Sequence, residues 1–240
     1  MTVGACLQAG PHAFTTVRRS APYNLHVTKT GWSLAAVLVA VLATAYAVVA
    51  APAGPRSIRQ FDPDRTADLE LRMWQAYYGK DRTRLFALLV TMLHEQYHYS
   101  WATAATEGLH LARAAATFGD LKSSYDVVLP DLEKSFDTAS RWLHAGFDPR
   151  EVARAELAWW VARRTPGHND ATEVGRLIAE EYSRLYEAPL ADMMRAGLLR
   201  AEAAALRDEQ AEQPDWPEIG RLLTESYRDL RASLSKAAAD

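Results

Sequence analysis

The pattern of apolar and polar positions divides the chain into an apolar run and a longer region with helical spacing. No charged residue occurs between Lys29 and Arg56, and residues 31–51 are almost all Ala, Val and Leu. From Ile58 onward apolar residues recur at the spacing of a helix that buries one face, and no strand-like alternation occurs. The pattern predicts an all-α chain, with one apolar helix ahead of a helical domain over 61–240.

The apolar run has the length of a membrane-spanning helix. About 20 residues in a helix extend about 30 Å, which is the thickness of the hydrocarbon core of a bilayer. Trp32 and Tyr46 are residue types that favour the membrane interface, and Pro52 ends the helix. We predict a single-pass transmembrane signal-anchor helix over 31–51. A cleavable signal peptide is the alternative, since small residues near Ala50 offer a cleavage pattern.

Charge is distributed unevenly along the chain. The 240 residues contain 27 basic and 30 acidic side chains, but no acidic residue precedes Asp62. Residues 1–30 carry only Arg18, Arg19 and Lys29 as charges, so we expect a disordered basic leader there. The near balance of charge gives no reason to expect nucleic acid as a partner. We expect the large domain on the extracytoplasmic side, although the basic residues near the two ends of the run are equal in number.

The second half of the helical domain repeats the first half in outline. Residues 61–76 and 147–162 share eight of sixteen positions, among them the Phe-Asp-Pro that opens each segment. Further matches follow in the same order: Tyr97 with Tyr186, Gly108 with Gly197, and Pro130 with Pro217. The alternative explanation is that Asp-Pro caps and Ala-rich helices resemble one another in unrelated chains. We predict a tandem duplication of a three-helix unit, with repeat 1 at 61–146 and repeat 2 at 147–240.

Helix start and stop signals place the helices of each repeat. Asp81 caps a long helix that we expect to continue to Phe118, whereas the corresponding helix of repeat 2 breaks at Pro189. Residues 52–60 are predicted to be a linker between the apolar helix and the domain. Two repeats are too few for an open solenoid, so the sequence predicts one closed bundle of six to seven helices with pseudo-two-fold symmetry.

Two glutamates occupy equivalent positions of the repeat. Glu70 and Glu156 lie on the apolar faces of their predicted helices. A carboxylate there must be protonated, paired or bound to metal, because an isolated buried charge is too costly. The functional interpretation is a pair of carboxylates that meets near the pseudo-two-fold axis and holds a metal or a proton. We favour the structural interpretation, in which each glutamate is satisfied by an arginine or a helix N-terminus of a neighbouring helix. The candidate arginines are Arg113, Arg163, Arg164 and Arg195.

The segment from His94 to His98, His-Glu-Gln-Tyr-His, matches the H-E-x-x-H pattern of zinc metalloproteases. Two histidines one helical turn apart face the same way and can share a zinc ion, and Glu95 can act as general base on its bound water. Glu95 and His98 also form half of the Glu-x-x-His pattern of ferritin-like di-iron bundles. Both patterns are incomplete, since Trp101 and Ala104 stand where a metzincin has Gly and His. The candidates for a third ligand are Glu70, Glu107 and His110.

The chemistry of the sequence leaves the functional class open. The single cysteine, Cys6, excludes an intramolecular disulfide framework, and no phosphate-binding loop, dinucleotide-binding pattern or serine nucleophile elbow occurs. Because no catalytic set is complete, we expect a membrane-anchored structural or interaction protein without a cofactor. Its partners are the bilayer, through 31–51, and another protein or a second copy of the chain. The alternatives are a small-molecule pocket between the helices and a metal-dependent enzyme. That enzyme is a hydrolase or a di-metal oxidase with zinc or iron, and its candidate residues are His94, His98, Glu70, Glu156 and Glu95 as catalytic base.

Overall fold

The structure, a computed structural model, describes residues 29–236 of the chain, with side chains from residue 34 onward. The described residues form nine α-helices and one short 3₁₀ turn, and no strand occurs among them. The predicted all-α class is therefore confirmed for this part of the chain. The predicted basic leader over 1–30 lies outside the described residues, apart from its last two positions.

The first helix, α1, runs from Lys29 to Ala50 and coincides with the predicted apolar segment. Residues 34–49 are all exposed, and all of them except Thr44 are apolar. Within 29–236 no helix is long and apolar enough to cross a membrane, so the predicted transmembrane helix over 31–51 is not supported. The chain divides into two units within α1, between Thr44 and Ala45, and the helical domain belongs to the second unit.

Eight further α-helices follow within the described range. They are α2 Pro63–Tyr78, α3 Arg82–Gln96, α4 Trp101–Asp120, α5 Leu129–Leu143, α6 Pro149–Arg164, α7 Ala171–Leu185, α8 Leu190–Glu209 and α9 Trp216–Lys236. The 3₁₀ turn, Tyr125–Val128, precedes α5. The predicted number of six to seven helices is too low, because the helix expected from Asp81 to Phe118 is interrupted after Gln96.

The break between α3 and α4 consists of a left-handed residue followed by a helix cap. Tyr97 ends α3, and His98 takes the left-handed backbone conformation with a φ of 53°. Ser100 then caps α4, because its hydroxyl oxygen accepts a hydrogen bond from the backbone N–H of Thr103 at 3.1 Å. A left-handed residue commonly ends a helix, and a serine cap satisfies a free N–H donor of the next one. The prediction of a continuous helix is wrong because no Pro or Gly marks this break in the sequence.

The helices α2 to α9 form a closed helical bundle, which we call the helical ring. Each helix packs against the next one along the chain, and α9 returns to pack against α2. The interior is filled by one large cluster of apolar side chains, whose fully buried members include Tyr99, Leu132, Met193 and Leu223. A smaller cluster of Leu69, Ala76 and Leu88 lies where α2 meets α3. The predicted helical bundle is therefore confirmed.

The two halves of the ring, α2–α5 and α6–α9, have matching helices. The first three helices of each half have 16, 15 and 20 residues. Asp62 caps α2 and Asp148 caps α6, and a proline follows each cap. After α7, Glu187 takes a left-handed φ of 50°, as His98 does after α3. Each half of the ring has four α-helices rather than the predicted three.

Candidate functional site

A cleft of about 620 Å³ lies where the chain ahead of α2 passes the break between α3 and α4. Its lining includes the predicted motif residues His94, Glu95 and His98. Trp101, at the start of α4, and Arg231, on α9, line the same cavity. We call this cavity the His94 cleft. It gathers residues from three helices and from the segment that was predicted to be a linker.

The ring of His94 is held in one orientation. Its Nδ1 lies 2.6 Å from the carbonyl oxygen of Tyr99, and the ring stacks on Trp101 with the two centroids 3.8 Å apart. A carbonyl oxygen can only accept a hydrogen bond, so Nδ1 carries the proton. In this tautomer the lone pair is on Nε2, which can accept a hydrogen bond.

The other two motif residues are engaged in structural contacts. The Nε2 of His98 donates to the carbonyl oxygen of Gln60 at 2.6 Å. The carboxylate of Glu95 accepts two hydrogen bonds from the guanidinium of Arg65, at 2.8 and 3.0 Å. His98 follows the end of α3, so it does not share a helix face with His94 as the motif required. In the described part of the chain no group of three or more His, Cys, Asp or Glu is placed to hold a metal. The zinc or iron site stays a prediction.

The candidates for a third metal ligand do not line the His94 cleft. Glu107 is buried in α4, where desolvation raises the pKa of its carboxyl group, and its Oε2 has no hydrogen-bond partner among the described residues. His110 lies beside Asp131 of α5, with its Nδ1 3.5 Å from the carboxylate. Glu70 belongs to a separate buried network. The structure therefore separates the candidates that the sequence grouped.

Glu70 is buried and fully paired. Arg200 of α8 donates from its Nε and from a terminal nitrogen to Oε1 of Glu70, at 2.9 and 2.7 Å. The hydroxyl of Tyr227 donates to Oε2 at 2.6 Å. The guanidinium of Arg200 also lies 5.0 Å from the centre of the Trp159 ring. Glu70 thus forms an arginine ion pair, but the four predicted arginines have other partners: Asp131 for Arg113, Asp208 for Arg163, the Phe118 carbonyl for Arg164 and Asp229 for Arg195.

Glu156 meets a second carboxyl group, that of Glu181 on α7. The indole N–H of Trp160 donates to Glu156 at 2.7 Å, and that of Trp159 donates to Glu181 at 2.8 Å. Burial, together with the charge of Glu156 and a hydrogen bond to it, raises the pKa of Glu181 well above its ordinary value. Two carboxyl groups can bond to each other only through a shared proton, so the pair holds a proton to a higher pH than an exposed carboxyl group does.

The two equivalent glutamates lie in one network without bonding to each other. Arg200 is attracted to both Glu70 and Glu181, and Glu181 in turn contacts Glu156. We call Glu70, Glu156, Glu181, Arg200 and Tyr227 the buried carboxylate network. The sequence did not single out Glu181 and Arg200, although a signal was present. On α7, Glu181 falls within the apolar stripe of Val174, Ile178, Tyr182 and Leu185, where a charged residue is unusual.

No protein-family model, curated protein or solved structure matches the chain. Among the described residues, candidate functional groups gather in the His94 cleft, which is open to solvent, and in the buried carboxylate network. In this network Glu70, Glu181 and Tyr227 are buried, whereas Glu156 and Arg200 are half-buried.

Proposed function

We propose that the chain is an interaction protein that attaches to a lipid bilayer through α1 and presents the helical ring to a partner. The surface of α1 is the observation that carries this proposal. Its large side chains are exposed by 58 to 71% at Leu34, Val37, Leu38, Val41 and Leu42. A contiguous apolar surface of this kind is costly in water and is typical of a segment that binds a membrane or the apolar surface of another protein.

A bilayer fits α1 better than a second protein helix does. A helix that pairs with one partner needs a single apolar stripe, whereas the consecutive residues Val37, Leu38 and Val39 are exposed on different sides of α1. Basic residues flank the segment, and no acidic residue precedes Asp62, so anionic headgroups are favoured over neutral ones. The proposal is one of attachment. It does not require α1 to cross the bilayer.

We also propose that the helical ring is a duplicated four-helix unit. The equal helix lengths, the two aspartate caps and the left-handed residues after α3 and α7 support it. Leu109 and Leu198 are each the ninth residue of their helices, α4 and α8, and both are exposed apolar residues. Equivalent positions of the two halves therefore offer apolar side chains to a partner.

Vesicle flotation tests the attachment. The full chain is mixed with vesicles of phosphatidylcholine and phosphatidylglycerol, and its fraction in the floating layer is measured. We expect the wild type to float and the double variant Leu38→Asp/Leu42→Asp to lose at least about tenfold in binding, because each charge is costly in the hydrocarbon region. The matched control, Leu109→Asp/Val127→Asp, places the same charges on exposed positions of the ring and should float like the wild type.

Two results would overturn the lipid attachment. One is a wild-type chain that stays out of the floating layer. The other is a Leu38→Asp/Leu42→Asp variant that floats as well as the wild type. A wild type that forms oligomers through α1 without binding vesicles would identify a second copy of the chain as the occupant, and would also reject the bilayer.

A further inference from the structure

Arg231 is a half-buried cation in the His94 cleft without an acidic partner. Its guanidinium donates to the hydroxyl of Ser235 and forms no ion pair among the residues that the structure describes. Elsewhere on α9, Arg221 pairs with Glu218 and Glu225, and Arg228 pairs with Asp64. A guanidinium has five N–H donors arranged in a fork that fits a carboxylate. Arg231 therefore brings unused donors and a positive charge to the cavity.

The acidic residues of the cleft are already satisfied. Asp62 caps α2, where its Oδ1 accepts hydrogen bonds from the backbone N–H groups of Asp64 and Arg65, both at 3.0 Å. Both oxygens of Glu95 accept from the side chain of Arg65. The helix N-terminus and the Arg65 guanidinium offset these two negative charges. The charge that remains without a partner in the cleft is that of Arg231.

The cleft also offers a flat aromatic surface. Trp101 is 40% exposed, and one face of its ring is covered by His94. Stacking fixes the indole, so the uncovered part can receive a second flat group without losing much conformational freedom.

We infer that the His94 cleft binds a small planar organic anion of the aromatic carboxylate class. Its carboxylate pairs with Arg231, and its ring packs on Trp101. The cleft volume of about 620 Å³ lies within the range of about 300–1,000 Å³ that is usual for small-molecule sites. The inference goes beyond lipid attachment and does not depend on it, because every lining residue lies after α1.

Isothermal titration of the full chain with benzoate tests the site. Benzamide has the same shape without the charge, and cyclohexanecarboxylate has the same charge without the planar ring. We expect saturable binding of benzoate, and at least about tenfold weaker binding of each of the other two. The variant Arg231→Gln should weaken benzoate binding by about tenfold or more, and Trp101→Leu should remove the preference for benzoate over cyclohexanecarboxylate.

The matched control is Arg221→Gln, which removes the same charge from the same helix outside the cleft. It should bind benzoate like the wild type, and thermal melts should show that all three variants are folded. Absence of saturable benzoate binding would overturn the inference, as would an Arg231→Gln variant that binds as the wild type does. Equal binding of benzoate and benzamide would reject an anion site, and equal binding of cyclohexanecarboxylate would reject a planar ligand. A failure of vesicle flotation would leave these titrations unchanged, so the two proposals are tested separately.

Discussion

The two halves of the helical ring have matching helices but pack them differently. In the first half, Gly108 of α4 faces side chains of α3, and an added Cβ would lie 3.1 Å from Val90 and 3.4 Å from Phe86. In the second half, Gly197 of α8 faces the backbone of α7, and an added Cβ would overlap Gly175 and lie 2.8 Å from the amide nitrogen of Ala179. Thus α3 and α4 meet through side chains, whereas α7 and α8 meet backbone to backbone.

The halves also differ in the chemistry of their interiors. Position eleven of the second helix is Glu181 in α7 and Met92 in α3, and position eleven of the third helix is Arg200 in α8 and Leu111 in α4. The first half contributes only Glu70 to the buried carboxylate network. The two halves therefore share their helix lengths and helix caps. They differ at single interior positions, which determine whether the interior of a half is apolar or contains charged groups.

The largest expected effect comes from replacing Arg200 of the second half by leucine, the residue at the equivalent position of the first half. The substitution Arg200→Leu leaves Glu70 buried without its cation, and breaking a buried ion pair costs about 3–5 kcal/mol of unfolding free energy. Chemical denaturation measures the loss. The double variant Arg200→Leu/Glu70→Gln should recover part of it, because a neutral amide no longer needs the guanidinium. A loss below about 1 kcal/mol in the single variant would show that the pair does not stabilise the ring.

The packing difference predicts unequal effects for one substitution at two equivalent glycines. Gly197→Ala forces the backbones of α7 and α8 apart, and overpacking of this kind costs about 1–3 kcal/mol. Gly108→Ala meets side chains of Val90 and Phe86 that need to move only slightly, and it gains helix propensity of about 1 kcal/mol, so the net change should be small. Thermal unfolding of both variants measures the difference. Equal losses at the two positions would contradict the backbone contact.

The carboxyl pair of the second half makes stability depend on pH. The pKa of Glu181 is raised, so the folded state binds this proton more tightly than the unfolded chain does. The stabilisation is complete below the pKa of an unfolded glutamic acid, about 4.3, and is lost as pH rises through the raised value. Glu181→Gln mimics the protonated form. Because the variant has no proton to lose at this position, we expect its stability to increase relative to that of the wild type as pH rises above about 4.3.

Urea unfolding at several pH values measures this difference. Glu209→Gln removes an exposed carboxylate instead, and its stability should follow the wild type at every pH. The groups that act on Glu181 from other helices include Glu156 and Trp159 on α6 and Arg200 on α8. None of them is changed in the variant. A pH-independent difference between Glu181→Gln and the wild type would contradict a shared proton.

Helix starts of the ring could be predicted from the sequence, but the contacts between its helices could not. Asp-Pro caps and apolar periodicity are local signals, so the starts of α2 and α6 were predicted at Asp62 and Asp148. The break at His98 has no proline or glycine, and a left-handed histidine depends on tertiary contacts such as its bond to Gln60. Local signals carry no information about such contacts.

The contacts of the candidate sites could not be predicted from local sequence signals either. The apolar stripe marked Glu70 as buried, but its partner lies 130 positions away on α8. Arg231 and Trp101 both line the His94 cleft because the ring closes α9 onto α2 beside the α3–α4 break. The segment from His94 to His98 was predicted to lie within one continuous helix. Because α3 ends at Gln96, the spacing of the motif does not place both histidines on one helix face.

The smallest expected effect compares the two aspartate caps. Asp62 accepts two backbone hydrogen bonds at the start of α2, both at 3.0 Å, whereas Asp148 accepts one at the start of α6, at 2.9 Å. Loss of a helix cap costs about 1 kcal/mol, so Asp62→Ala should destabilise by about that amount and Asp148→Ala by less. Urea midpoints measure both, and Asp62→Asn, which keeps an acceptor, should stay near the wild type. A greater loss at Asp148 would mean that hydrogen-bond number does not set the strength of these caps, and that the two halves differ in their helix starts as well as in their interiors.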